Sequence, residues 1–71
     1  MPDSVYKVIE LVGTSTESFH DAAKAAVDAA AKSLRDLRVA EVEKLDALIK
    51  DGKVELYRAK LKVSFKFEGK G

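Results

Sequence analysis

The chain has 71 residues, no cysteine, one histidine and nearly balanced charge, with 13 Lys and Arg against 12 Asp and Glu. These counts exclude a disulfide framework, a thiolate metal site and a multi-histidine site within one chain. They give no reason to expect nucleic acid or an anionic membrane as a partner.

A core in so short a domain is marginal, because too little surface leaves the water to offset chain entropy. With disulfides and metal removed, partner subunits are the remaining staple, so a homo-oligomer is expected. No apolar run approaches the ~20 residues of a membrane span. Met1 to Ser4 carries neither the basic nor the apolar segment of a secretory signal. A single domain over residues 1–71, in the cytoplasm, is the expectation.

Residues 4–12 are rich in β-branched and aromatic types and run up to Gly13, which predicts a strand. Val5, Ile9 and Leu11 fall on one face, and Tyr6, Val8 and Val12 on the other, so both faces call for cover. Thr14 and Glu17 then fit a capping box, with Ser15 and Thr16 as alternative caps. A helix follows over 17–36. Phe19, Ala22, Ala23, Ala26, Val27, Ala30, Leu34 and Leu37 form one apolar stripe, opposite His20, Lys24, Asp28, Lys32 and Arg35.

Residues 38–50 fit a helical stripe as well, through Val39, Val42, Leu45, Leu48 and Ile49. Two features favour a strand instead. Asp51-Gly52 is a two-residue hairpin signal. Residues 53–67 alternate cleanly, with Tyr57, Ala59, Leu61, Val63, Phe65 and Phe67 against Arg58, Lys60, Lys62, Ser64 and Lys66.

If Asp51-Gly52 is the tip, Glu43 faces Lys60 and Glu41 faces Lys62, while Val42 meets Leu61 and Ala40 meets Val63. One register thus pairs charge with charge and apolar with apolar, at roughly 0.2–1 kcal/mol per pair. The fold class predicted is α+β, a β-α-β-β chain whose helix covers one sheet face. The other face stays partly apolar, through strand one, Val39 and Leu45, and partly charged, which again asks for partner chains. The tail Glu68 to Gly71 is expected to fray.

Catalysis has little to rest on. His20 has no nucleophile or orienting group beside it in sequence. Asp21, Asp28, Asp36 and Asp46 do not match a calcium loop, so a calcium site would need symmetry copies to converge. The row Arg58, Lys60, Lys62 and Lys66 reads more simply as a face salt-bridged to Glu41 and Glu43 than as a phosphate site. Tyr57 and Phe65 read as core residues. A non-enzymatic role is expected.

Val5-Tyr6-Lys7-Val8, Leu11-Val12-Gly13-Thr14-Ser15, the alanine-rich helix, Leu34-Arg35-Asp36-Leu37, Glu41-Val42 and Tyr57 with Leu61-Lys62-Val63-Ser64-Phe65-Lys66 together resemble the dodecin family. The likeness spans nearly the whole chain. It implies a hollow homododecamer with the last strand central in the sheet, and a non-catalytic role in flavin binding or storage. The flavin-binding members carry a ring-stacking tryptophan in strand two and a glutamine after the tyrosine of strand three. Here those positions are Val39 and Arg58, and the chain has no tryptophan.

Valine gives a flat ring no flat partner, and arginine donates hydrogen bonds but cannot accept them. The resemblance therefore implies weak or absent binding of flavin (FMN or riboflavin), and a place nearer the members associated with calcium or with no known ligand.

Overall fold

A computed structural model describes residues 4–67, and the predicted fraying of Glu68 to Gly71 lies outside them. The elements run β1 (Tyr6–Ser15), α1 (Phe19–Ser33), β2 (Leu37–Lys50) and β3 (Lys53–Lys66). They form one antiparallel sheet of order β1-β3-β2, with α1 laid over β1 and β3. The core is small and almost wholly aliphatic: Ala22 and Ala26 of the helix meet Ala59, Leu61 and Val63 of β3. Ile9, Leu11, Ala23, Val27 and Leu37 pack around it. Leu61 and Val63, at 0% and 1% exposure, are the largest fully buried side chains.

The first strand does not stop at Gly13 but continues to Ser15. Glycine sits inside the strand because the helix crosses there. A Cβ at Gly13 would overlap the Ala22 carbonyl oxygen and come within 2.9 Å of the Ala26 Cβ. Alanine on the helix and glycine on the strand let the two backbones approach closely.

The helix start also differs from the capping box at Thr14 and Glu17. Ser18 is the N-cap, its hydroxyl accepting from the Asp21 amide at 3.0 Å. Ser15 organises the preceding turn by accepting from the amide of Glu17 at 2.9 Å. The strand's extension absorbs Thr14, which pairs with Arg58, and so moves the helix start along the chain.

The helix ends at Ser33 rather than at residue 36. Leu34 is extended and Asp36 adopts a left-handed φ of 58°. Leu37 still reaches the core, but from β2, which explains why it fitted the helical stripe. At the other turn Asp51 and Gly52 both have positive φ, 52° and 75°, as a type I′ hairpin requires. The strand reading of residues 38–50 therefore holds over the helical one.

The hairpin register is as predicted for Ala40–Val63, Glu41–Lys62 and Val42–Leu61. It then slips by one residue. Lys44, not Glu43, lies opposite Lys60, and Leu45 and Asp46 lie opposite Ala59 and Arg58. The extra residue is a β-bulge at Glu43. Because side chains alternate, the slip turns Leu45 to the helix side and Asp46 to the opposite face, correcting the placement of Leu45 on the open face.

The helix position generates a prediction. Gly13→Ala should cost at least about 3 kcal/mol, or prevent folding, because backbone atoms of α1 cannot yield as a side chain would. Chemical denaturation of the variant checks this, and an unchanged midpoint would show that the helix does not sit against this strand.

Candidate functional site

The broadest open surface is the sheet face turned away from α1, since the helix covers much of the other. Strand alternation sets its contents. β1 supplies Tyr6, Val8, Glu10, Val12 and Thr14, and β3 supplies Arg58, Lys60, Lys62, Ser64 and Lys66. β2 adds Val39, Glu41, Lys44 and Asp46.

This face mixes two characters. Val8, Val12 and Val39 are 55%, 57% and 61% exposed, more than isolated apolar residues on a packed sheet would be. Between them runs a charge lattice. Lys62 Nζ meets Glu43 Oε2 at 2.9 Å, and Lys60 Nζ lies 3.8 Å from Glu10 and 4.0 Å from Glu43. The bulge places Glu43 where it serves both lysines.

Arg58 makes the tightest contact on the face. Its Nε donates to Asp46 Oδ1 at 2.7 Å and its Nη2 to Asp46 Oδ2 at 3.0 Å, a bidentate fork. Val12, Lys44, Asp46, Arg58 and Lys60 line a hollow of about 170 Å³ there. A wider, more open depression of about 510 Å³ lies at the hairpin tip, lined by Lys50, Asp51, Lys53, Val54 and Glu55.

The structure puts Val39 and Arg58 on this one face but not together. Val39 lies opposite Ser64, whose hydroxyl donates to the Val39 carbonyl at 3.4 Å, whereas Arg58 lies opposite Asp46. Six residues of β3 separate the two positions, about 20 Å at the rise of a strand. A small ligand touching both must lie between two copies of the chain.

Asp46, Lys44 and Val12 complete the surroundings of Arg58; the sequence placed Val12 on a strand face and Asp46 among scattered carboxylates but did not group them with Arg58. A signal for them exists: the helix-side apolar residues of β2 run Leu37, Ala40, Val42, Leu45, and two of those intervals are three residues rather than two. Each longer interval coincides with a register shift, between Leu37 and Val39 and between Val42 and Lys44.

Tyr57 lies on the helix side, its ring edge against Phe19 at a centroid distance of 4.9 Å, as befits a packing residue. His20 is exposed on the helix. Among the described residues, no three acidic or histidine side chains gather as a metal site would need, and no helix is long and apolar enough to cross a membrane. What the surface offers chemically is contact and hydrogen bonding, so the class it defines is that of a binding or assembling subunit.

The comparisons with known proteins give that class a family. The dodecin family model matches residues 5–68. The calcium dodecin of Mycobacterium tuberculosis is 48% identical over 63 residues, 89% of each chain. Its crystal structure, described as a calcium-chelating antigen with a novel calcium-binding site, superposes with a TM-score of 0.82 at 44% identity, covering 96% of this chain and 97% of that one. The dodecin of Thermus thermophilus is 42% identical over 64 residues, 90% of this chain and 93% of its own. The structure of dodecin from Streptomyces coelicolor matches with a TM-score of 0.92 at 36% identity, covering 99% and 100%. The chain belongs to the dodecin family.

The ion pairs make stability depend on pH. The hydrogen bond from Lys62 holds the Glu43 carboxyl below its ordinary 4.5, and that from Arg58 holds Asp46 below 3.8. Both contribute stability above those values and lose it as pH falls through the depressed ones. Lys62, raised from 10.5 by Glu43, contributes below that value and loses its share as pH rises through the raised one. The melting temperature should therefore be flat from about pH 5 to about pH 10 and fall on either side. All these groups face solvent, so the effect is small and shrinks in high salt. Melting scans of the natural chain and of Glu43→Gln test this. An acid limb equally steep in both would separate Glu43 from the effect.

Proposed function

We propose that this chain is the subunit of a hollow homododecamer that binds or sequesters small molecules without catalysis, and that its flavin site is degraded. The observation that carries the reading is the open sheet face. It is too apolar at Val8, Val12 and Val39 to stay wet, and it carries Val39 and Arg58, the residues that the family resemblance aligns with the ring-facing positions of flavin-binding members. Valine there forfeits ring stacking. Self-association supplies both the missing cover and the second copy that a ligand spanning these positions needs.

A second reading is an assembly stabilised by calcium with no organic ligand. Its support is the 48% identity to the calcium dodecin. The acidic residues of one chain do not converge, so the ion would sit where copies meet.

Three measurements separate these readings. Light scattering after size exclusion should give a dodecamer at micromolar concentration, and a monomer would remove both. Titrating riboflavin or FMN should give little fluorescence quenching, while Val39→Trp should restore it. Tight quenching by the natural chain would show that the site is intact rather than degraded. Chelator treatment should leave the melting temperature unchanged on the first reading and lower it on the second, since an ion bound only by the folded assembly stabilises it by mass action.

A further inference from the structure

The contact between Arg58 and Asp46 bears on what the open face can bind. A guanidinium presents five N–H donors in a rigid fork. In this chain the Nε and Nη2 donors are directed at the two oxygens of Asp46, 2.7 and 3.0 Å away. The same edge of the guanidinium is suited to the carbonyl and ring-nitrogen acceptors of a flat heterocycle, so carboxylate and ligand compete for the paired Nε and Nη2 donors. The carboxylate is at hand because of the bulge: had the register of Ala40 to Val42 run on with Glu43 paired to Lys60, Arg58 would face Leu45 and Asp46 would point to the helix side.

We propose that Asp46 is a latch on Arg58, a positioning residue that keeps the guanidinium from the ring acceptors of a flavin-type ligand and so sets the selectivity of this surface. The inference rests on the ligand-binding reading above and goes beyond it by naming the group that restrains the site.

Charge alone offers a rival account. Lys44 lies directly opposite Lys60 and pairs with no carboxylate among the described residues, while Lys60 has only the more distant Glu10 and Glu43. Removing the Asp46 charge would leave Lys44, Arg58 and Lys60 around the hollow, and a phosphate would be drawn there whatever the ring did. The two accounts part on a ligand that has the ring and lacks the phosphate.

The test measures riboflavin and FMN binding by fluorescence quenching in the full chain, in the natural background and in Val39→Trp, each with and without Asp46→Ala. The latch requires Asp46→Ala to tighten binding of both ligands by about fivefold, the scale of an exposed ion pair. It also requires Asp46→Ala combined with Arg58→Ala to abolish the gain. Asp46→Asn, which keeps the side chain's shape, should move the same way and guards against a poorly folded alanine variant.

An unchanged affinity overturns the latch, as does a gain that survives without Arg58 or one confined to FMN. If Val39→Trp binds flavin and Asp46 has no influence, the latch falls and the binding reading stands. If no variant quenches either ligand, both fall.

Discussion

Everything in this subunit is arranged around the close contact of one alanine ridge with the sheet. Ala22 and Ala26 lie against Gly13, Ala59 and Leu61 with almost no side chain between backbones. Dispersion and burial are efficient there, since close-packed atoms leave no void. A ridge so narrow covers mainly β1 and β3 and reaches β2 only at its edge, where Leu37 joins the core. β2 is left with Val42 and Leu45 half exposed on its helix side, and the opposite sheet face is uncovered altogether. The economy that makes a short chain foldable is thus the same one that leaves it with greasy surface to hide.

The open face answers that need with two kinds of side chain in one plane. Valines supply area to bury, and the lattice of Glu10, Lys60, Glu43 and Lys62, with Asp46 and Arg58 beside it, supplies direction. Apolar area favours association without dictating orientation, whereas opposed charges penalise the wrong alignment. The described core contains no buried polar or charged side chain, so geometric specificity must come from packing shape and from these surface charges.

Much of this was legible in the sequence, and the gaps have physical causes. Alternation along β3 and the Asp51-Gly52 turn identified the hairpin, and opposed charges located most of its register. Gly13 misled because glycine signals a chain break locally but here answers a tertiary demand, the crossing helix. Leu34 and Leu37 extended the helical stripe because three-residue spacing cannot tell a helix from a chain that turns back to the same core. The bulge at Glu43 escaped because Glu43 opposite Lys60 looked satisfactory as a pair, and the charges still meet once the backbone has slipped. With the bulge went Asp46, the partner that defines the surroundings of Arg58.

That slip also makes β2 behave as a phased element. On the turn side of Glu43, as far as the next irregularity at Leu48, every side chain keeps its face because Glu43 itself takes no place in the paired ladder. A deletion at position 43 would set Val42 and Lys44 side by side opposite Leu61 and Lys60, closing the bulge and leaving every face unchanged. An insertion that the bulge does not absorb would instead exchange the inner and outer faces of Lys44 to Leu48. Length variation among natural or engineered variants should therefore be tolerated at the Asp51-Gly52 tip and, as a loss, at the bulge, and punished as a gain within the paired run from Lys44 to Leu48, even though the residues around it lie at the surface.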